Sequence, residues 1–183
     1  MITLVTGIPR SGTSLMMQLC AAAKEPILSD SIRKEDENNP NGYFEFESVK
    51  GIVKSNAFLK EANGKTIKIV APLVTFIDLS LNYRVIFMLR DLDEVLQSQE
   101  KMLGKDQQAQ REKLKAMYQM HIEKSKRFLD VNNIPYIEIK HQEVLKEPEI
   151  SLAKLIDFCQ WNVPLDSLKS VIDTSLYRNR KES

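Results

Sequence analysis

Ile2-Thr3-Leu4-Val5-Thr6-Gly7-Ile8-Pro9-Arg10-Ser11-Gly12-Thr13-Ser14 joins a short apolar run to a glycine-containing turn and the start of an amphipathic segment. Ile2 to Thr6 reads as a buried strand, and beyond Gly12 the residues Leu15, Met16, Leu19 and Ala23 recur at helical spacing. Two glycines five positions apart, between a strand and a helix, let backbone N–H groups turn toward an anion, to which the helix N-terminus adds partial positive charge. The spacing follows the phosphate-loop pattern G-x-x-x-x-G-K-[ST] except at one position, where Thr13 replaces the lysine. A cation stands earlier in the loop, as Arg10.

Outward from the loop, Ser29 to Gly42 is polar and closes on the loop signal Asn38-Asn39-Pro40-Asn41-Gly42. Glu47 to Ala62 is predicted as a helix stopped by Asn63-Gly64. Thr66–Ala71 and Arg84–Leu89 read as strands, the second a nearly continuous apolar run suited to a parallel sheet covered on both faces. Asp91 and Glu94 form a D-x-x-E cap for a helix to about Leu103. A long amphipathic helix follows over about Gln107–Val131, then a strand over Pro135–Ile139 and a helix opened by Pro148. The expected fold is α/β, a P-loop NTPase-like three-layer sandwich with a central, mainly parallel sheet flanked by helices, in one domain over residues 1–183.

Twenty-six basic against 25 acidic residues give a net charge of +1, so phosphate recognition must be local and a nucleic-acid partner is not expected. No apolar run reaches transmembrane length, the opening residues lack a signal-peptide pattern, and no membrane partner is expected. Cys20 and Cys159 lie in apolar surroundings without metal-ligand spacing, and read as buried reduced thiols of a cytoplasmic protein. The best strand ends in Arg90 rather than in the acid that would hold Mg²⁺, so the loop reads as built for phosphate without a metal.

The loop Pro9-Arg10-Ser11-Gly12-Thr13-Ser14 resembles the 5′-phosphosulfate loop of sulfotransferases, and Arg90-Asp91-Leu92-Asp93-Glu94-Val95-Leu96-Gln97-Ser98 resembles their second motif. Asn39-Pro40-Asn41-Gly42-Tyr43-Phe44-Glu45, Glu143-Val144-Leu145 leading to Phe158, and the closing Leu176–Arg180 resemble the same family in the same order. The resemblance implies 3′-phosphoadenosine 5′-phosphosulfate (PAPS) as donor and metal-independent in-line transfer of a sulfonate group to a hydroxyl or amine. It implies that Arg10 stabilises the departing 5′-phosphate, that Ser11, Gly12, Thr13 and Ser14 cradle it, and that Arg90 and Ser98 bind the 3′-phosphate. Arg178 and Arg180 would add charge there. Lys68 matches the lysine of the family's K-T-H-L-P stretch, but the histidine position is Val70; other members use a Glu instead, and the resemblance implies Glu45, after the Asn-Pro-Asn-Gly loop, as candidate base with Glu47 as fallback. The acceptor is expected to be a small molecule or carbohydrate-like, met by Ser29 to Asn41 and Gly104 to Lys113. The chain is short for the family, so that site is either open or completed by a second subunit in a homodimer.

Plainer readings stand beside these. Arg90 can pair with Asp93 or Glu94, Lys68 can face outward from its strand, and Arg178 can belong to a frayed tail. His121 reads as a core or edge histidine, His141 as solvated, and Trp161 equally as core or as an adenine platform. Two rival functions remain at this level: a P-loop kinase or nucleotidase that has lost its lysine, and a catalytically silent nucleotide-binding module.

Overall fold

The computed structural model describes residues 1–30, 32 and 42–173. Strands β1 (Ile2–Gly7), β2 (Thr66–Lys68), β3 (Tyr83–Leu89) and β4 (Tyr136–Lys140) form one sheet in the order β2-β1-β3-β4. Every pairing is parallel, with Val5 opposite Lys68, Gly7 opposite Met88 and Leu89 opposite Lys140. The two central strands, β1 and β3, are almost wholly buried because both faces of the sheet are covered. Leu4, Val85 and Phe87 enter a core shared with helices α2 (Leu92–Leu103) and α3 (Arg111–Val131). Val5, Ile86 and Met88 enter the opposite core, with α1 (Thr13–Ala22), α4 (His141–Lys146), α5 (Pro148–Cys159) and α6 (Leu165–Lys169). This is the expected three-layer α/β arrangement.

The chain leaves β1 toward β2 on one side and leaves β3 toward β4 on the other. The carboxyl ends of β1 and β3 therefore flank a topological switch point, where open α/β sheets bind ligands. Loops after all four strands emerge on that edge.

The helix expected over Glu47–Ala62 is instead two 3₁₀ turns, Glu47–Gly51 and Ala57–Ala62. Gly51 weakens a helix at mid-length, and the Asn56 side-chain amide donates to the Phe76 carbonyl at 3.1 Å, holding the chain outside helical geometry. The strand expected to run to Ala71 stops at Lys68, and Ala71–Phe76 forms a 3₁₀ turn containing Pro72. The long helix begins at Arg111, after a 3₁₀ turn over Gln108–Gln110.

At the amino edge, away from the loop, a polar network ties the layers together. Arg84 on β3 donates through Nε to Thr3 Oγ1 at 2.8 Å, through Nη2 to Glu25 Oε1 at 2.5 Å, and to the Cys159 carbonyl. Trp161 donates to the same Glu25 oxygen at 2.8 Å, which places it in the core rather than beside a nucleotide. Cys20 and Cys159 are buried free thiols; burial raises the pKa of both, that of Cys159 to about 12. Replacing Arg84 by Ala leaves Glu25 largely enclosed without its ion-pair partner. The expected loss is about 3 kcal/mol in a urea titration; a loss below about 1 kcal/mol would show the network to be dispensable.

Candidate functional site

The loop between β1 and α1 is shaped by close contacts that its sequence permits. A Cβ on Gly7 would stand 2.4 Å from Ser11 Oγ and 2.7 Å from the Met88 carbonyl oxygen, so only glycine lets the loop pass this close to β3. Gly12, at φ 96, is the N-cap of α1, and a Cβ there would stand 2.4 Å from His141 Cδ2. Arg10 has φ 70, a left-handed conformation unfavourable for any residue with a side chain. The Ser11 N–H donates to the Ile8 carbonyl at 3.2 Å, closing the turn. Of the four amides expected to face a phosphate, that of Ser11 therefore serves the loop itself.

Helix α1 begins without a side-chain cap and without an acid in its first turn. Ser11 is fully buried, and its hydroxyl has no hydrogen-bond partner among the described residues. A glycine-shaped turn, an uncapped helix start and a polar atom in need of a partner fit an anion.

Two arginines meet at this loop. Arg10 donates from Nε to Ser98 Oγ at 3.0 Å and approaches Met102 Sδ at 3.8 Å, so its side chain lies along α2. Arg90, just past β3, donates from Nη1 to the Arg10 carbonyl at 3.2 Å. Its Nε pairs with Glu94 at 3.0 Å, both side chains being nearly enclosed. Asp91 caps α2, its carboxylate accepting from the Asp93 and Glu94 amides. The interval from Arg90 to Ser98 thus spans one helix start and brings both residues to Arg10.

A second group lies at the end of β2. Lys68 is 7% exposed rather than outward-facing, and its ammonium donates to the Tyr43 carbonyl and stands 3.8 Å from Glu45 Oε1. The Asp30 amide donates to the Glu45 carbonyl at 2.8 Å, and its carboxylate accepts from the Glu47 amide at 2.6 Å. Glu45 is therefore fixed next to Lys68, while the Glu47 carboxylate pairs with Lys50 at the surface. Because Val5 sits opposite Lys68 and Gly7 opposite Met88, this pair and the loop share the carboxyl edge. In the stretch Gly104 to Lys113, Arg111 is tied to α2 through Glu100 at 2.8 Å. Arg178, Arg180 and most of the stretch expected to meet the acceptor (residues 31 and 33–41) lie outside the described residues.

His141, expected in solvent, is buried against Gly12 at the end of β4. Desolvation, reinforced by the nearby Arg90 charge, lowers its pKa to about 3. Only the parallel pairing of β3 with β4 reveals this residue, by setting Lys140 opposite Leu89. Glu94, legible as a helix-capping acid and as a candidate partner of Arg90, is that partner. His121 is half-buried, as an edge histidine.

No protein-family model matches the chain, and no curated protein matches it in sequence. Solved structures do. A sulfotransferase domain from the curacin biosynthetic pathway superposes with a TM-score of 0.55 at 14% identity, covering 94% of this chain and 77% of the other. A sulfotransferase domain from the Synechococcus PCC 7002 olefin synthase gives 0.52 at 12% identity, covering 99% and 80%. The chain has a sulfotransferase-like α/β fold.

The buried histidine has a consequence for stability. An unfolded histidine takes a proton near pH 6.5, whereas folded His141 stays neutral down to about pH 3. Between those values the unfolded chain binds more protons, so this contribution is intact above pH 6.5 and is lost as pH falls. Wild type should lose about 2 kcal/mol more than His141→Asn between pH 7 and pH 5 in urea titrations. Equal losses would mean that the imidazole takes up its proton in the fold as it does in the unfolded chain.

Proposed function

We propose that the chain transfers a sulfonate group from 3′-phosphoadenosine 5′-phosphosulfate to a hydroxyl or amine of a small or carbohydrate-like acceptor. The observation that carries this reading is the convergence of Arg10, Ser98 and Arg90 on one phosphate-type loop at the switch point of a sulfotransferase-like fold. Thr13 at the lysine position and Arg90 at the strand end support anion binding without a metal.

In this reading the Gly12, Thr13 and Ser14 amides, with the Thr13 and Ser14 hydroxyls, hold the 5′-phosphate, and the uncapped start of α1 favours its charge. Arg10 swings from Ser98 to the bridging oxygen and stabilises the charge that develops there, the largest single contribution expected of such a site. Ser98 and Arg90 then meet the 3′-phosphate. Glu45 takes the acceptor proton, and Lys68 keeps the chain from Tyr43 to Glu45 in place beside the loop. The bound donor supplies the sulfonate group and its phosphate leaving group.

Incubation with sulfur-labelled donor and pooled hydroxyl and amine acceptors tests this directly, label in an acceptor being the expected product. Arg10→Ala should lower that transfer by about 10²-fold or more while leaving the circular dichroism spectrum unchanged. Wild-type rates in the variant would remove Arg10 from the chemistry. Label in no acceptor, with donor bound, would favour a silent binding module.

A further inference from the structure

We propose that Glu94 is a positioning residue of the phosphate loop, acting through Arg90; the inference rests on the loop being the donor site. Glu94 is 4% exposed, and its carboxylate holds Arg90 Nε at 3.0 Å. The same guanidinium donates from Nη1 to the Arg10 carbonyl, while the Ser11 N–H donates to the Ile8 carbonyl. The planar peptide unit joining Arg10 to Ser11 is therefore gripped at both ends, its C=O by Arg90 and its N–H by Ile8. This unit follows the left-handed φ of 70 at Arg10 and leads through Ser11 to Gly12, the N-cap of α1.

Two penalties accompany Glu94. A buried carboxylate–guanidinium pair is expensive to desolvate, and apolar side chains of the same volume would fill the space at lower cost. A carboxylate is also the wrong charge beside a pocket for phosphates. Both penalties make sense when the orientation of Arg90 matters more than the local charge. A guanidinium tethered at Nε keeps Nη1 aimed at the loop carbonyl; untethered, it rotates among rotamers and solvent contacts. The carboxylate thus fixes the loop backbone through one intermediate side chain. Its sequence position is set by the helix: four residues after Arg90, on the first turn of α2, is where an acid reaches back to the strand end.

The sign of the effect separates this from simple electrostatics. Glu94→Gln removes a negative charge from the site, which by charge alone strengthens phosphate binding. Positioning predicts weakening instead, by about tenfold for adenosine 5′-monophosphate, because the damage is to the loop, and by at least as much for 3′-phosphoadenosine 5′-phosphate, whose 3′-phosphate Arg90 also meets. Calorimetric titrations of both probes, with stoichiometry reporting the folded fraction, read this out. Equal or tighter binding overturns the proposal. So does a loss confined to the 3′-phosphorylated probe, which would place the action of Glu94 at the 3′-phosphate alone.

Arg90→Lys keeps the charge but cannot grip Glu94 and the carbonyl together. It should weaken binding of both probes if Glu94→Gln does not fold, the 3′-phosphorylated one more, and unchanged affinity for adenosine 5′-monophosphate there overturns the clamp. Amide hydrogen exchange in the ligand-free chain gives a readout independent of any donor. Exchange at Ser11 should be about tenfold faster in either variant, and unchanged exchange overturns the proposal even if wild type binds neither probe. Absence of wild-type binding with accelerated exchange would instead refute the donor-site reading and leave the clamp standing.

Discussion

The register of β1 against β3 is the constraint on which the rest of the carboxyl edge depends. Gly7 lies opposite Met88, so close that a side chain on Gly7 would strike the Met88 carbonyl. That approach fixes where the loop leaves the sheet, and with it the meeting of Arg10 with Arg90 and Ser98. A slip of one residue would turn Leu4 and Val5 into each other's cores and carry the loop away from the strand end that bears Arg90. The fold is held at the opposite edge by Arg84 and Glu25, so the polar groups at the two ends of the sheet have different work: one end joins layers, the other shapes the loop between β1 and α1.

Within the site, charge is local and internally matched. Arg90 faces Glu94, Lys68 faces Glu45, and Arg10 rests on the Ser98 hydroxyl. Such matching reconciles a phosphate-type pocket with a chain whose net charge is only +1. It also means that affinity for an anion would come from preformed geometry more than from a broad positive field, since long-range steering needs an unbalanced surface.

Much of this was legible in the residues, for a physical reason in each case. The loop announces itself because its two glycines answer to steric limits that no other residue meets. Asp91 announces itself because an uncapped helix start needs an acceptor at that offset. What stayed hidden depends on contacts between distant segments. The burial of His141 against Gly12, the tie of Lys68 to the Tyr43 carbonyl and the grip of Arg90 on the Arg10 carbonyl each join residues far apart in sequence. The segment Glu47–Ala62 misled because its apolar spacing favours a helix, while Gly51 and the Asn56 side chain provide competing hydrogen-bonded turns. The acceptor side is the least legible, since nothing in a polar loop fixes the chemistry of what it meets.

In the proposed reading the loop receives the phosphates of an adenosine donor without a metal. Equilibrium titration with 3′-phosphoadenosine 5′-phosphate in the presence of EDTA, with ATP and Mg²⁺ as competitor, tests it most directly. Micromolar affinity that depends on the 3′-phosphate and is undisturbed by ATP with Mg²⁺ is the predicted result. Preference for ATP with Mg²⁺, or no binding of the bisphosphate, would contradict the account and return the loop to kinase-like chemistry.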